Sequence, residues 1–444
     1  MKNLTLHNFR GFEYLSWNFT PRINLIVGDN ASGKTSLLRA CRLVAGSFFS
    51  GFSDENTVWP GPEAGDFRET IENGMISPYK PVEIGFFLNQ ATFPNVAMSL
   101  IKNGTANDRK IFNPADESYW ILKKSPKNSK QLSSGLSDFK SYSKVVYNNS
   151  DKPIQLPLFA FFSTEDIHSS RKIDSQKFRK EFLKRSFGYY TCLDSNGLLT
   201  YWERRLLVLQ EAQDDSVEVR EVRRIMLKIL SEEGCGILED IVIRPMRGKV
   251  YYKLSDGRLT DSATISDGYK RLINIAINLA FRAYILNNMV FGEGVEEKTT
   301  GIVMLDEIDL HLHPSLQVKA LPALSATFPN IQFIATSHSP LVMSSVRNGE
   351  NDSVTKIDYM PDGGYHHYRI NTYGNDASTI MTDILEVAER DINVKHDLDA
   401  LFDKIDNEDY EAARIEFLRL KKIYGELPEL ARAGVTLDFL APEI

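Results

Sequence analysis

Two short stretches hold the residue types that do chemistry. "GIVMLDEIDLHLHP", residues 301–314, sets Asp306, Glu307, Asp309, His311 and His313 directly behind an apolar run. By type alone all five could ligate a metal, and the adjacent acids also suit a hydrolytic pair. "GDNASGKT", residues 28–35, satisfies G-x-x-x-x-G-K-[ST]. In such a loop the glycines let the backbone close around phosphates and the N–H groups of the following helix face them. The lysine reaches the β- and γ-phosphates, and the hydroxyl residue ligates magnesium. Here these are Gly28, Gly33, Lys34 and Thr35. The two stretches explain each other. An apolar strand ending in Asp-Glu, far downstream of such a loop, supplies Asp306 to organise magnesium and Glu307 to polarise an attacking water. The carboxylates are then half of a Mg–ATP site, and the histidines are left over. A zinc site built on His311 and His313 needs further ligands at suitable spacing. They are read as a rigid loop ahead of a helix opened by Pro314, packing or touching a neighbouring subunit.

The flanking elements are of the kind that could position these groups. Leu4 to Phe9 alternates as a strand and turns at Arg10-Gly11, "RINLIVG" is a buried strand entering the loop, and a helix runs on from near Lys34. "IQLPLFAFFS", the run ending at Asp306 and "IQFIAT" are further strands, and "EDIVIRPMRGKVYYKLSDGRLT" is a hairpin turning at Asp256-Gly257. "ISDGYKRLINIAINLAF" opens a helix with Ser266 as its cap and Ile273, Ile277 and Ala280 buried. A sharper reading makes Ser266 and the N–H groups around Gly268 a second anion site aimed at a γ-phosphate. Residues 91–150 are weakly patterned, 174–232 mostly helical and charged. The tail is a helical hairpin with Leu401, Ile405, Ala412, Ile415 and Leu418 as its apolar stripe.

Composition narrows the class. With 444 residues, 42% of them hydrophobic, the chain can bury two or three compact units. A net charge of −7 and a pI near 5.7 argue against a nucleic-acid coat, so any such contact is local, as along the lysine-rich stretch from Lys123 to Lys144. Three widely spaced cysteines form neither a disulfide framework nor a C-x-x-C knuckle and fit a reducing compartment. No stretch approaches ~18 uninterrupted apolar residues, and the N-terminus has no signal core. The expectation is a cytoplasmic protein without a membrane partner.

"LTLHNFRGF", "GDNASGKT", "ISDGYKR", "VMLDEIDLHLHP" and "IATSHSP", in that order, resemble the ABC-type ATPases of the SMC, RecF and OLD class. The resemblance implies an α/β P-loop ABC-type head with a mixed, largely helical insertion and a C-terminal helical segment. On this reading residues 1–90 and 236–375 form the ATPase domain, 91–235 the insertion, and 376–444 an oligomer or partner segment. It further implies that Gly28, Asn30, Ser32, Gly33, Lys34, Thr35 and Ser36 hold ATP, with Mg2+ on Thr35 and Asp306 and with Arg10 approaching the nucleotide. Ser266 and Gly268 of one protomer close on ATP held by another, Glu307 is the catalytic base, and His338 contacts the γ-phosphate. Gln90 is the candidate magnesium sensor, and Ala31 replaces the usual loop glycine.

Between Lys34 and Ser266 the chain has Pro, Gly and strand-like breaks, so no long coiled-coil arm is expected. After His338 it is too short and too helical for a TOPRIM nuclease. Within the class the sequence is most similar to the ATPase subunit of Septu-type and retron-associated anti-phage defence systems. This implies an ATP-hydrolysing regulatory subunit that assembles through nucleotide-bridged protomers, controls a separate HNH nuclease and reaches nucleic acid through that complex. Two other readings stand beside it: a RecF-like DNA-binding repair or loading ATPase, and an OLD-like nuclease-ATPase with an unrecognised nuclease site.

Overall fold

A computed structural model describes residues 1–54, 57, 61–69, 71–72, 75–76, 80–88, 119–124, 133–134, 136–164, 184–194, 197–212, 216–360, 363–387 and 391–441. The chain divides into two compact units, 1–376 and 377–444.

The first unit is built on a six-stranded sheet. Its order is Tyr365–Arg369, Asp352–Tyr359, Ile23–Val27, Ile331–Thr336, Gly301–Leu305 and Leu158–Phe162. All neighbours are parallel except the antiparallel pair Asp352–Tyr359 and Tyr365–Arg369. Ile23–Val27, Gly301–Leu305 and Ile331–Thr336 are buried along their whole length, which is why they are mostly apolar, with Asn24, Gln332 and Thr336 as buried polar exceptions. Register brings their C-terminal ends level: Thr336 pairs with Ile26, Ala335 with Leu305, and Lys356 with Val27. The chain therefore leaves three adjacent strands at one edge of the sheet, carrying Gly28, Asp306 and Ser337 there together. Crevices at the carboxyl ends of parallel strands are where such sheets bind ligands.

An antiparallel sheet in the order Phe12–Asn18, Asn3–Phe9, Val82–Phe87, Tyr119–Lys124 and Ser133–Ser134 accompanies it. The meander Leu238–Arg244, Lys249–Leu254 and Leu259–Asp261 follows helices Leu199–Ala212 and Val217–Leu230. It leads into the helix Asp267–Phe291, whose apolar residues surround it and bury most of its length, including Ile273, Ile277 and Ala280.

Three features depart from the sequence reading. The stretch assigned to an insertion, 91–235, contributes Leu158–Phe162 as an edge strand of the central sheet. The strands Asp352–Tyr359 and Tyr365–Arg369 were not anticipated. The first is buried on both faces while carrying Ser353, Thr355 and Lys356, a polar content that hides a core strand. Among the described residues the second unit has three long helices rather than a hairpin, Ile392–Asp406, Tyr410–Tyr424 and Pro428–Leu440, after the short helical turns Ala377–Thr379 and Ile380–Ile384. Leu401 and Ile405 are in its core, but Ile415 and Leu418 are 67% and 60% exposed. Ala413 and Leu420 of the middle helix turn inward instead, against Leu430, Ala433 and Leu437 of the third.

Candidate functional site

Gly28 leaves the strand Ile23–Val27 beside Ile357, so closely that a Cβ at Gly28 would overlap the Ile357 carbonyl. The loop ends at Gly33 (φ 96°), and the helix Lys34–Ser47 begins with no side chain capping its N-terminus. Its first-turn N–H groups are thus not taken by a cap, which is the arrangement that receives phosphate. Lys34 is buried, and its amine donates to the carbonyls of Gly28 at 2.8 Å and Asp29 at 2.6 Å. Burial pushes this amine below its usual range, opposed by the carboxylates of Asp29, Glu307, Asp306 and Asp309. Asn30 and Thr35 are exposed, Ser36 is half-buried and Ser32 is buried. Ala31 takes the left-handed conformation (φ 65°) that glycine would adopt without strain.

Asp306 follows its strand on the neighbouring edge and is buried. Its Oδ1 accepts the Thr336 hydroxyl at 2.7 Å, and that same hydroxyl accepts the Glu307 N–H at 2.7 Å. The Arg271 guanidinium donates to the Asp306 carbonyl at 2.6 Å. Glu307 has φ 48°, a left-handed backbone unusual for a non-glycine residue and frequent at functional turns. Asp309 Oδ1 is buried with no hydrogen-bond partner among the described residues. An uncapped helix N-terminus next to carboxylates, one with an unmet acceptor, fits a ligand that brings phosphates and a divalent cation together.

Ser266 stands before the helix Asp267–Phe291 in the N-cap position, but its side chain makes no capping bond and is exposed. The cap role read from the sequence is therefore not used. Gly268 is pressed against the backbone of His311, where a Cβ would overlap the carbonyl oxygen. This contact joins the start of that helix to the loop after Asp306-Glu307. His311 has φ 62°, and His313 Nδ1 lies 2.9 Å from Ser315 Oγ, a local cap for the short helix Pro314–Gln317. Among the described residues no group of three or more His, Cys, Asp or Glu forms a metal cluster.

His338 is half-buried just past the strand Ile331–Thr336. Next to it, the Ser339 hydroxyl donates to Gln317 Oε1 at 2.5 Å and Gln317 donates to the Leu312 carbonyl at 2.9 Å, tying the His338 loop to the loop beyond Asp309. Arg10 (φ 50°) donates Nε–H to Asp66 Oδ1 at 2.9 Å, and Arg39 shares that carboxylate. Burial alone would raise the Asp66 carboxyl, but hydrogen bonds from Arg39 and the Glu63 amide and the charges of both arginines hold it below its usual value. Gln90 lies outside the described residues. Sequence reasoning missed Thr336, Arg271 and Gln317; only the strand-end position of Thr336 offered a signal.

A glycine-rich loop on one parallel strand, with an acidic pair closing the neighbouring strand but one, defines a P-loop ATPase of the ABC type. The family described as "AAA domain, putative AbiEii toxin, Type IV TA system" matches residues 23–344, and the chain belongs to it. Curated relatives are the Retron Vc95 probable ATPase of Vibrio cholerae serotype O1 biovar El Tor, 22% identical over 92% of this chain and 83% of that one, and the Retron Ec83 probable ATPase of Escherichia coli, 25% identical over 87% and 76%. The Septu protein PtuA of Bacillus mycoides is 24% identical over 67% of this chain and 42% of its own length. Among solved structures, an Smc head domain with an extended coiled coil, bound to the C-terminal domain of ScpA derived from Pyrococcus furiosus, aligns over 86% of this chain and 98% of that one at 13% identity, with a TM-score of 0.46. No helix among the described residues is long and apolar enough to cross a membrane.

Proposed function

We propose that the chain binds and hydrolyses Mg–ATP as the regulatory subunit of an anti-phage defence complex, assembles through nucleotide-bridged protomers and controls a separate HNH nuclease. Lys34 exchanges the Gly28 and Asp29 carbonyls for the β- and γ-phosphates, while the N–H groups from Gly33 to Ser36 face the same oxygens. Asn30 and Ser32 line the loop, and Arg10 stands at its flank. Thr35 and Asp306 hold magnesium, which when bound neutralises charge on the phosphate oxygens. Glu307 orients a water and takes its proton, and His338 approaches the γ-phosphate from the next strand end. The retron and Septu names of the relatives support the defence setting.

The observation that carries the assembly is Ser266. Its hydroxyl is exposed and does not cap its own helix, and Gly268 anchors that helix start to the His311 backbone beside the acidic loop. An anion-ready helix end turned outward suits the γ-phosphate held by a second copy. The unit 377–444 is the platform proposed for the nuclease.

The test is to purify the chain alone and with the product of its neighbouring gene, with and without ATP. The expected outcome is magnesium-dependent nucleic-acid cleavage only by the pair. Cleavage by the single chain would support the OLD-like reading. Tight duplex binding by the single chain, falling steeply with salt, would support the RecF-like one.

A further inference from the structure

We propose that Tyr359 and Tyr365 form a stacking wall for the base of the bound nucleotide, so that the hairpin after the His338 loop sets preference for a nucleoside triphosphate over bare polyphosphate. The proposal rests on the P-loop reading above and adds to it the part of the ligand that the phosphate machinery does not touch. The hairpin lies beyond residues 23–344, the stretch matched by the family.

Placement comes from the sheet. Asp352–Tyr359 runs parallel to Ile23–Val27, with Lys356 beside Val27, so Ile357 abuts Gly28 and Tyr359 lies beyond the strand end on the loop's side. Tyr365 pairs with Tyr359 across the hairpin, and their rings meet edge to face with centroids 5.0 Å apart. The second contact of Tyr365 is Phe12, at 4.5 Å and again edge to face. Phe12 is fully buried, whereas Tyr365 is half-buried and Tyr359 is 58% exposed. The cluster thus has an apolar floor and an open aromatic top.

The wall touches the phosphate loop itself. A Cβ built on Gly33 would lie 2.7 Å from the Phe12 ring and 3.2 Å from Tyr365 Cε1. Gly33 has φ 96°, so the absence of a side chain there serves both the turn and this close approach. The Tyr365 hydroxyl end occupies the space a side chain at Gly11 would need, in the turn next to Arg10. Two glycines, one in the phosphate loop and one in the N-terminal turn, therefore admit the same tyrosine. A ligand whose phosphates sit on the N–H groups after Gly33 has its nucleoside end within reach of a ring already in contact with Gly33.

An exposed tyrosine over a buried phenylalanine is also what a simple hairpin anchor looks like, and the two roles separate by ligand. Stacking on aromatic side chains needs a base, whereas an anchor supports the loop for any phosphate ligand.

The experiment measures affinity for Mg–ATP and for Mg–tripolyphosphate by calorimetry in the wild-type chain, Tyr359→Ala, Tyr365→Leu and Tyr365→Phe. The wild type is expected to bind ATP about tenfold more tightly than tripolyphosphate. Tyr359→Ala and Tyr365→Leu should lose most of that margin while keeping tripolyphosphate affinity, and Tyr365→Phe should retain it. Equal affinity for the two ligands in the wild type, or an undiminished margin in both Tyr359→Ala and Tyr365→Leu, overturns the proposal. So does a parallel fall for both ligands, which marks an anchor. Failure of the wild type to bind either ligand overturns the P-loop reading and this inference with it, and is distinct from the other outcomes.

Discussion

The hydroxyl of Thr336 donates to Asp306 Oδ1 and accepts the N–H of Glu307, both at 2.7 Å. One side chain thereby fixes the carboxylate assigned to magnesium and the backbone of the residue assigned to water. Glu307 sits at a strained φ of 48°, and a hydrogen bond to its own N–H helps to hold it there. Thr336→Val keeps the shape and removes the hydroxyl. ATP turnover should fall about 10- to 100-fold with ATP affinity nearly unchanged, and Thr336→Ser should restore most of it. Steady-state turnover alongside equilibrium binding checks this; normal turnover in Thr336→Val would show that the bond is idle.

The residues proposed to hold phosphate and magnesium can be picked out in the sequence because their motifs are local: Gly28 to Ser36 lie within one turn-helix junction, and Asp306-Glu307 follow one apolar strand. Thr336, Arg271 and Gln317 cannot, since each acts on a residue distant in sequence. Thr336 meets Asp306 only because the parallel register pairs Ala335 with Leu305. Arg271 meets the Asp306 carbonyl because the helix from Asp267 packs its first turn against the loop reaching His311. The strand Asp352–Tyr359 escaped for a related reason: its burial on both faces is imposed by neighbours, while its own residues alternate with polar ones. On the middle helix of the second unit, helical spacing gave more than one apolar stripe, and the third helix determines which one is buried.

Lys34 and Glu307 separate binding from hydrolysis. Lys34 is buried among acidic groups, and its amine donates to the Gly28 and Asp29 carbonyls and, at 3.5 Å, to Ser32 Oγ, so Lys34→Ala removes the charge that would face phosphate. ATP affinity should drop roughly 100-fold, the loss expected for charge-assisted hydrogen bonds. Glu307→Gln should bind ATP normally and turn over about 100-fold or more slowly. Fluorescent-nucleotide titration and phosphate release measure the two effects. Wild-type affinity in Lys34→Ala, or wild-type turnover in Glu307→Gln, would sink the corresponding assignment.

Ser266 tests the shared site. Ser266→Arg places a bulky cation at the exposed helix start without touching the P-loop of its own chain. Nucleotide-dependent association, followed by light scattering in the Glu307→Gln background, should disappear. A mixture of Ser266→Arg and Lys34→Ala subunits should recover part of the turnover that neither shows alone, because one pairing leaves one composite site intact. Association undisturbed by Ser266→Arg would rule out closure through this residue.

Glu203 connects the helical region to the segment leading into Ser266. It is buried on the helix Leu199–Ala212, where Oε1 accepts the Tyr252 hydroxyl at 2.8 Å and Oε2 accepts the Ser262 hydroxyl at 2.9 Å. Burial raises its pKa above 4.5, reinforced by Asp261 and opposed by the two hydroxyls and by Lys270. A raised carboxyl pKa means that the folded state keeps a proton which the unfolded chain has already released. Stability therefore declines as pH climbs from about 4.5 to the folded value and levels off above it. Glu203→Gln keeps the acceptor for Tyr252 and offers its amide to Ser262, without a carboxylate to desolvate. It should match the wild type near pH 4.5 and unfold at a higher temperature at pH 8, with the wild type alone losing stability between the two. Parallel unfolding curves for the two proteins across that range would show that Glu203 is equally at home with its charge, and that the Ser262 contact does not depend on its proton.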